Sequence, residues 1–176
     1  MCQEGDVFRY HLANSAAFIS ILGLFRLRNL LFYQRPESLY SLNLKQLQEN
    51  LGDAPREKAL EIAAHVLHML ATEVPSAKQQ SFAAHNLADL SLVSFSDLPV
   101  SLANAFEEPV KASLGGGFLK PSISALHQYW SQIHTGYGFK EQCGEFLLGT
   151  FEVPEGILHK KSLEDLEKWV KANGGG

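Results

Sequence analysis

"SISALHQYWSQIHTGYGFKEQCGEFLLGTF", residues 122–151, decides how the rest of the chain is read. Its first half carries Leu126, Tyr129 and Ile133 at helical spacing, together with Trp130, His127 and His134. Ser122 is the expected start and Gly136 the expected end, with Gly138 following before the next element. "FKEQCGEFLLGTF" is then read as a second apolar helix. The stretch is either the wall of an active site or one unit of a stacked helical scaffold.

Working outward, helix signals dominate. Val7 to Phe32 reads as one long helix, or two joined near Gly23, ended by Pro36 in "QRPES". "SLNLKQLQENLGD" reads as a short amphipathic helix closed by Gly52. Asp53 is expected to cap "APREKALEIAAHVLHMLATEV", with Pro55 in its first turn and Leu60, Ala63, Leu67 and Leu70 on one face. Ser76 is expected to cap a helix running to about Ser94, and Asp97 with Pro99 to open another through "VSLANAFEE". "SLGGGFLKP" is a loop and "EVPEG" a turn. "SLEDLEKWVKANGGG" is a final helix with a Ser162–Asp165 capping pair. Strand-type alternation is nearly absent outside residues 150–153, so the predicted class is all-α.

The 176 residues suit one folded unit: 45% are hydrophobic and 19% charged, a composition that builds a core. The net charge of −4 argues against a chain-wide attraction to phosphate backbones. Residues 1–36 hold Arg9, Arg26, Arg28 and Arg35 against Glu4 and Asp6, a net of +2, which leaves −6 for residues 37–176. The expected organisation is therefore a basic amphipathic N-terminal helix over 1–36 and a helical repeat domain over 37–176. The run "LANSAAFISILGLF" is shorter than the roughly 20 apolar residues a membrane span needs, and it lacks the basic start and cleavage site of a secretory signal. Two cysteines, Cys2 and Cys143, make no disulfide framework and fit a reducing compartment.

Helix starts recur at a near-regular period. Leu44/Leu47/Leu51, Leu87/Leu90/Ser94, Leu126/Tyr129/Ile133 and Leu163/Leu166/Val170 share one spacing, with starts 43, 39 and 37 residues apart. "WSQIHTGY", with Trp130 ahead of Gly136–Tyr137, resembles the end of the first helix in octotricopeptide-type repeats, which also occur in FAST-kinase-like proteins of mitochondria and chloroplasts. "SFAAHNLADLSLVSFSDLPVSLANAF" resembles a more degenerate copy, so the likeness covers residues 77–151. Departures accompany it: the second copy has Ser91 at the tryptophan position, and most basic RNA-facing positions are missing. The resemblance implies a short α-solenoid of stacked helix–turn–helix repeats in an organellar protein of RNA metabolism or a ribonucleoprotein assembly.

No constellation fixes a chemistry. His65 and His68, three apart, lack the carboxylate partners of a metalloprotease helix, and no metal is assigned. Cys143 with His127 or His134 is conceivable as a nucleophile and base, but its apolar neighbours favour a buried small hydrophobe. "SLGGGF" lacks the Lys–Ser/Thr that completes a phosphate loop. Trp130 and Tyr137, near Lys140, are weighed as base-stacking aromatics against a packing role, which for Trp130 is the stronger reading. The expected function is non-enzymatic: a scaffold subunit or assembly factor of an organellar, mitochondrial complex, without cofactor or small-molecule substrate. The alternative is an organellar RNA-binding repeat protein, and a Cys143 or histidine enzyme ranks third. Other protein subunits are the expected partners, with RNA and a membrane surface weighed as further contacts. The contact residues to test are Arg26, Arg28, Arg35, Trp130, Tyr137 and Lys140.

Overall fold

The computed structural model describes residues 17–25, 37–72, 87–112 and 117–174. They form a mixed α/β sandwich: one five-stranded sheet with helices on both faces. Strand β1 (Phe18–Phe25) is followed by β2 (Glu37–Asn43), α1 (Leu44–Asn50) and α2 (Arg56–Thr72). Then come β3 (Ala88–Ser96), a 3₁₀ turn (Ala103–Phe106), α3 (Leu119–Tyr137), β4 (Gln142–Leu147), β5 (Ile157–Lys160) and α4 (Leu163–Lys171). The sheet order is β2-β1-β3-β4-β5, antiparallel except for the parallel β4–β5 pair.

The expected all-α solenoid is therefore wrong, and the reason lies in the two central strands. β1 and β3 are flanked by strands and covered on both faces, so each reads as a continuous apolar run and loses the alternation that betrays a half-buried strand. In β1, Ile19 and Ile21 point to one face while Ser20 and Leu22 point to the other, all buried. β3 splits the same way into Val93 and Phe95 against Leu90 and Leu92. The long N-terminal helix over Val7–Phe32 is contradicted over 18–25, which is strand. The rest of that segment lies outside the described residues, as do Ser76 and most of the glycine loop.

Helices hold where periodicity and caps agree. Asn43 accepts from the Gln46 N–H at 3.0 Å to start α1, and Ser162 accepts from the Asp165 N–H at 3.1 Å to start α4. In α2, Leu60, Ala63 and Leu67 are buried as expected. Pro55 sits just ahead of the first helical residue rather than within the first turn, and its carbonyl accepts from the Lys58 N–H. α3 begins at Leu119 and runs through Gly136. It stops at Gly138, whose φ of 64° is the left-handed conformation that glycine adopts without strain.

Three of the four repeat starts are real helices, but α1 and α4 pack on one face of the sheet and α3 on the other. The fourth, Leu87/Leu90/Ser94, is strand β3 and its approach. The face under α2 and α4 joins Ile19, Ile21, Val93 and Phe95 to Leu67, Leu166, Trp169 and Val170. The face under α3 joins Leu22, Leu90, Leu92 and Leu147 to Ile123, Leu126 and Trp130. Among the described residues no helix is long and apolar enough to cross a membrane.

Candidate functional site

The chemistry of the molecule gathers where the C-terminal half of α3 lies over β4. The Gly138 turn sends the chain back beneath the helix, so that Glu141 and Cys143 return to His134. "FKEQCGEFLL", expected as a helix, is strand over Gln142–Leu147, and alternation turns Cys143, Glu145 and Leu147 toward α3. Across the sheet, Ser20, Ser94 and Cys143 lie in register on neighbouring strands and share that face.

Two histidine–carboxylate pairs line this seam. His127 Nε2 lies 2.9 Å from Glu145 Oε2, with both side chains buried. Glu145 Oε1 has no hydrogen-bond partner, which marks the position as costly to the fold. About two turns along α3, His134 Nε2 lies 3.3 Å from Glu141 Oε2, again largely out of solvent. The other ring nitrogen, Nδ1, is 2.8 Å from the Trp130 carbonyl oxygen. Trp130 stacks on the imidazole at 3.9 Å, and Phe139 meets it edge-on at 5.7 Å. Burial, reinforced by the nearby Glu141 carboxylate, pushes the Cys143 thiol far above its ordinary range, against the weaker pull of the Trp130 indole N–H. The Cys–His arrangement weighed from sequence is thus brought together in space with a carboxylate added, and burial holds its thiol toward the protonated form. A narrow cleft lined by Ser20, Ser94, Leu102, Trp130, His134 and Glu141 reaches the seam, with a void of about 20 Å³, room for a single water.

The expected contact residues separate. Trp130 is buried at 5% exposure against the ring-filled gap over Gly156, so it packs and presents no face to a base. Tyr137 is 76% exposed, its ring near-parallel to Phe139 at 5.6 Å, and Lys140 is exposed in the same turn. Arg26, Arg28 and Arg35 lie outside the described residues. His65 and His68 make no shared site: His65 is exposed and His68 Nδ1 is 2.8 Å from Glu167. Sequence reasoning missed Glu141 and Glu145, and the available signal was a carboxylate alternating with Cys143 and Leu147 in a run too apolar to be a surface.

No curated protein matches the chain. The family model described as "CT1975-like protein" matches residues 21–172. Two solved structures share the fold. One, described as "CRISPR RNA-guided surveillance complex, pre-nicking", has a TM-score of 0.67 at 20% identity, covering 89% of this chain and 46% of that one. The other, "CRISPR RNA-guided surveillance complex", has a TM-score of 0.66 at 20% identity, covering 88% of this chain and 65% of that one. The chain spans less than two thirds of the length of either.

These findings overturn the octotricopeptide and FAST-kinase-like resemblance. Trp130 and Gly136–Tyr137 belong to a single helix packed on a sheet, and among the described residues the motif recurs in no second unit. The organellar helical-repeat scaffold falls with it, as do the organellar RNA-binding repeat protein and the mitochondrial location.

Proposed function

The chain belongs to the CT1975-like protein family, and on that premise we propose that it is a non-catalytic subunit of an RNA-guided CRISPR surveillance complex, contacting RNA and neighbouring protein subunits. The observation that carries the reading is the fold shared over 88–89% of the chain with components of such complexes. The compartment proposed is the prokaryotic cytoplasm in which such a complex acts.

The geometry supports a particular mode of contact. Both faces of the sheet are covered by helices, so bases have no open sheet on which to stack. The exposed Tyr137 ring, extended by Phe139 and followed by Lys140, offers a stacking platform beside a cation at the end of α3. Arg26, Arg28 and Arg35 are proposed as further phosphate contacts. The case against catalysis is that the His127–Glu145 pair is buried and that burial holds the Cys143 thiol toward the protonated form.

Fluorescence anisotropy with a short single-stranded RNA across a salt series tests this. Log affinity should fall linearly with log salt, with a slope of roughly −0.7 per phosphate contacted. Tyr137→Ala should weaken binding by about 1–3 kcal/mol, and Lys140→Ala should flatten the slope by about one contact. Absent or salt-insensitive binding contradicts the function, whereas parent-like behaviour of both variants contradicts the site.

A further inference from the structure

We propose that His134, Glu141 and Cys143 bind a divalent transition metal of the zinc type in the seam between α3 and β4. One ligand atom from each of the three side chains lies within 4.8 Å of the others, a grouping met once among the described residues.

The protons carry the argument further. A carbonyl oxygen only accepts, so the 2.8 Å contact to Trp130 requires His134 Nδ1 to bear a hydrogen. A neutral ring then presents a bare lone pair at Nε2. That nitrogen is buried, has no hydrogen-bond partner, and lies 3.3 Å from a carboxylate oxygen without the alignment of a hydrogen bond. Two electron-rich atoms held at this separation call for a cation between them. The separation is itself the N···O edge, about 3.4 Å, of a tetrahedron with metal–ligand bonds of about 2.0–2.2 Å. The Cys143 sulfur completes a nitrogen, oxygen and sulfur set that suits zinc, and it has at most about 1.2 Å to close.

The surroundings match what a ligating histidine needs. A backbone carbonyl fixes its tautomer, and Trp130 and Phe139 fix its plane. The cleft beside His134 and Glu141 supplies an approach and room for a water as fourth ligand. On binding, the Cys143 S–H bond gives way to a metal–sulfur bond and the proton leaves to solvent. Thiolate, carboxylate and neutral imidazole then balance the double positive charge, so the three-ligand site carries no net charge. The competing arrangement is a doubly protonated His134 paired with Glu141, which binds no metal. The proposal is independent of the RNA-guided reading.

Cobalt(II) titrated into the untagged chain, in a Cys2→Ser background, distinguishes the two. A thiolate-to-cobalt charge-transfer band should grow to one equivalent and vanish on adding zinc. Cys143→Ser should abolish the band, and His134→Gln and Glu141→Gln should each lower cobalt affinity at least tenfold. Circular dichroism checks each fold, and the near-isosteric Glu141→Gln carries the test if a harsher change unfolds the chain. A parent protein without the band, or a folded Glu141→Gln variant with parent affinity, overturns the site.

Discussion

The two faces of the sheet are built from different materials. Under α2 and α4 the contact is mostly hydrocarbon, with Ser91 and the Trp169 indole N–H as buried polar exceptions: Ile19, Ile21, Val93 and Phe95 meet Ala59, Ala63, Leu67 and Leu166, and small alanines let α2 lie close. Under α3 the leucines Leu22, Leu90 and Leu92 share the face with Ser20, Cys143 and Glu145, which meet His127 and His134. Each face seats a tryptophan on a glycine, Trp169 on Gly144 and Trp130 on Gly156. The first face is sufficient to hold a fold. The second carries desolvated polar groups whose burial costs stability, the kind of arrangement that clusters at sites with a task.

Breaking the polar seam should have the largest effect. Glu145→Ala strands His127 in the core and should cost about 3–5 kcal/mol in urea unfolding. Replacing both partners, His127→Leu with Glu145→Leu, should be neutral or stabilising, because no buried polar group is left wanting a partner. A double variant as unstable as the single one would mean that the pair is a net contributor, and the contrast between the faces would fail.

Trp130→Ala should cost roughly 3–5 kcal/mol, because the ring fills the space between α3 and the Gly156 turn. A loss below about 1 kcal/mol would show the ring free for a ligand. On the hydrocarbon face, Gly144→Ala would place a methyl 2.9 Å from the Trp169 ring, itself held by Phe95 at 5.4 Å, and should cost about 1–3 kcal/mol by overpacking. Smallest of all, Tyr137→Ala should change stability by less than about 0.5 kcal/mol, since its ring stands in solvent. Its expected effect is on RNA, which separates packing aromatics from contact aromatics at two positions about two turns apart on one helix.

What could be read from the chain follows the same division. α2 and α4 were legible because each buries one stripe and exposes the other, and the Ser162 cap of α4 is spelled out locally. β1 and β3 were not, since a strand buried on both faces is as uniformly apolar as a buried helix. β4 was misread for a further reason. Gly144 and Glu145 break both patterns, and their cause is tertiary: one makes room for Trp169, and the other meets His127. The individual residues of the seam were visible, with Cys143 and His134 even considered together. Glu141 joins them only through the left-handed turn at Gly138, which a helical reading of 139–151 turns elsewhere.

The most direct test of the account is a native purification of the tagged chain from its own cells, with and without RNase, followed by sequencing of bound RNA. The account predicts a fixed set of protein subunits together with short CRISPR-derived RNA protected within the complex. A chain that returns alone, or with partners and no such RNA under either condition, would contradict it.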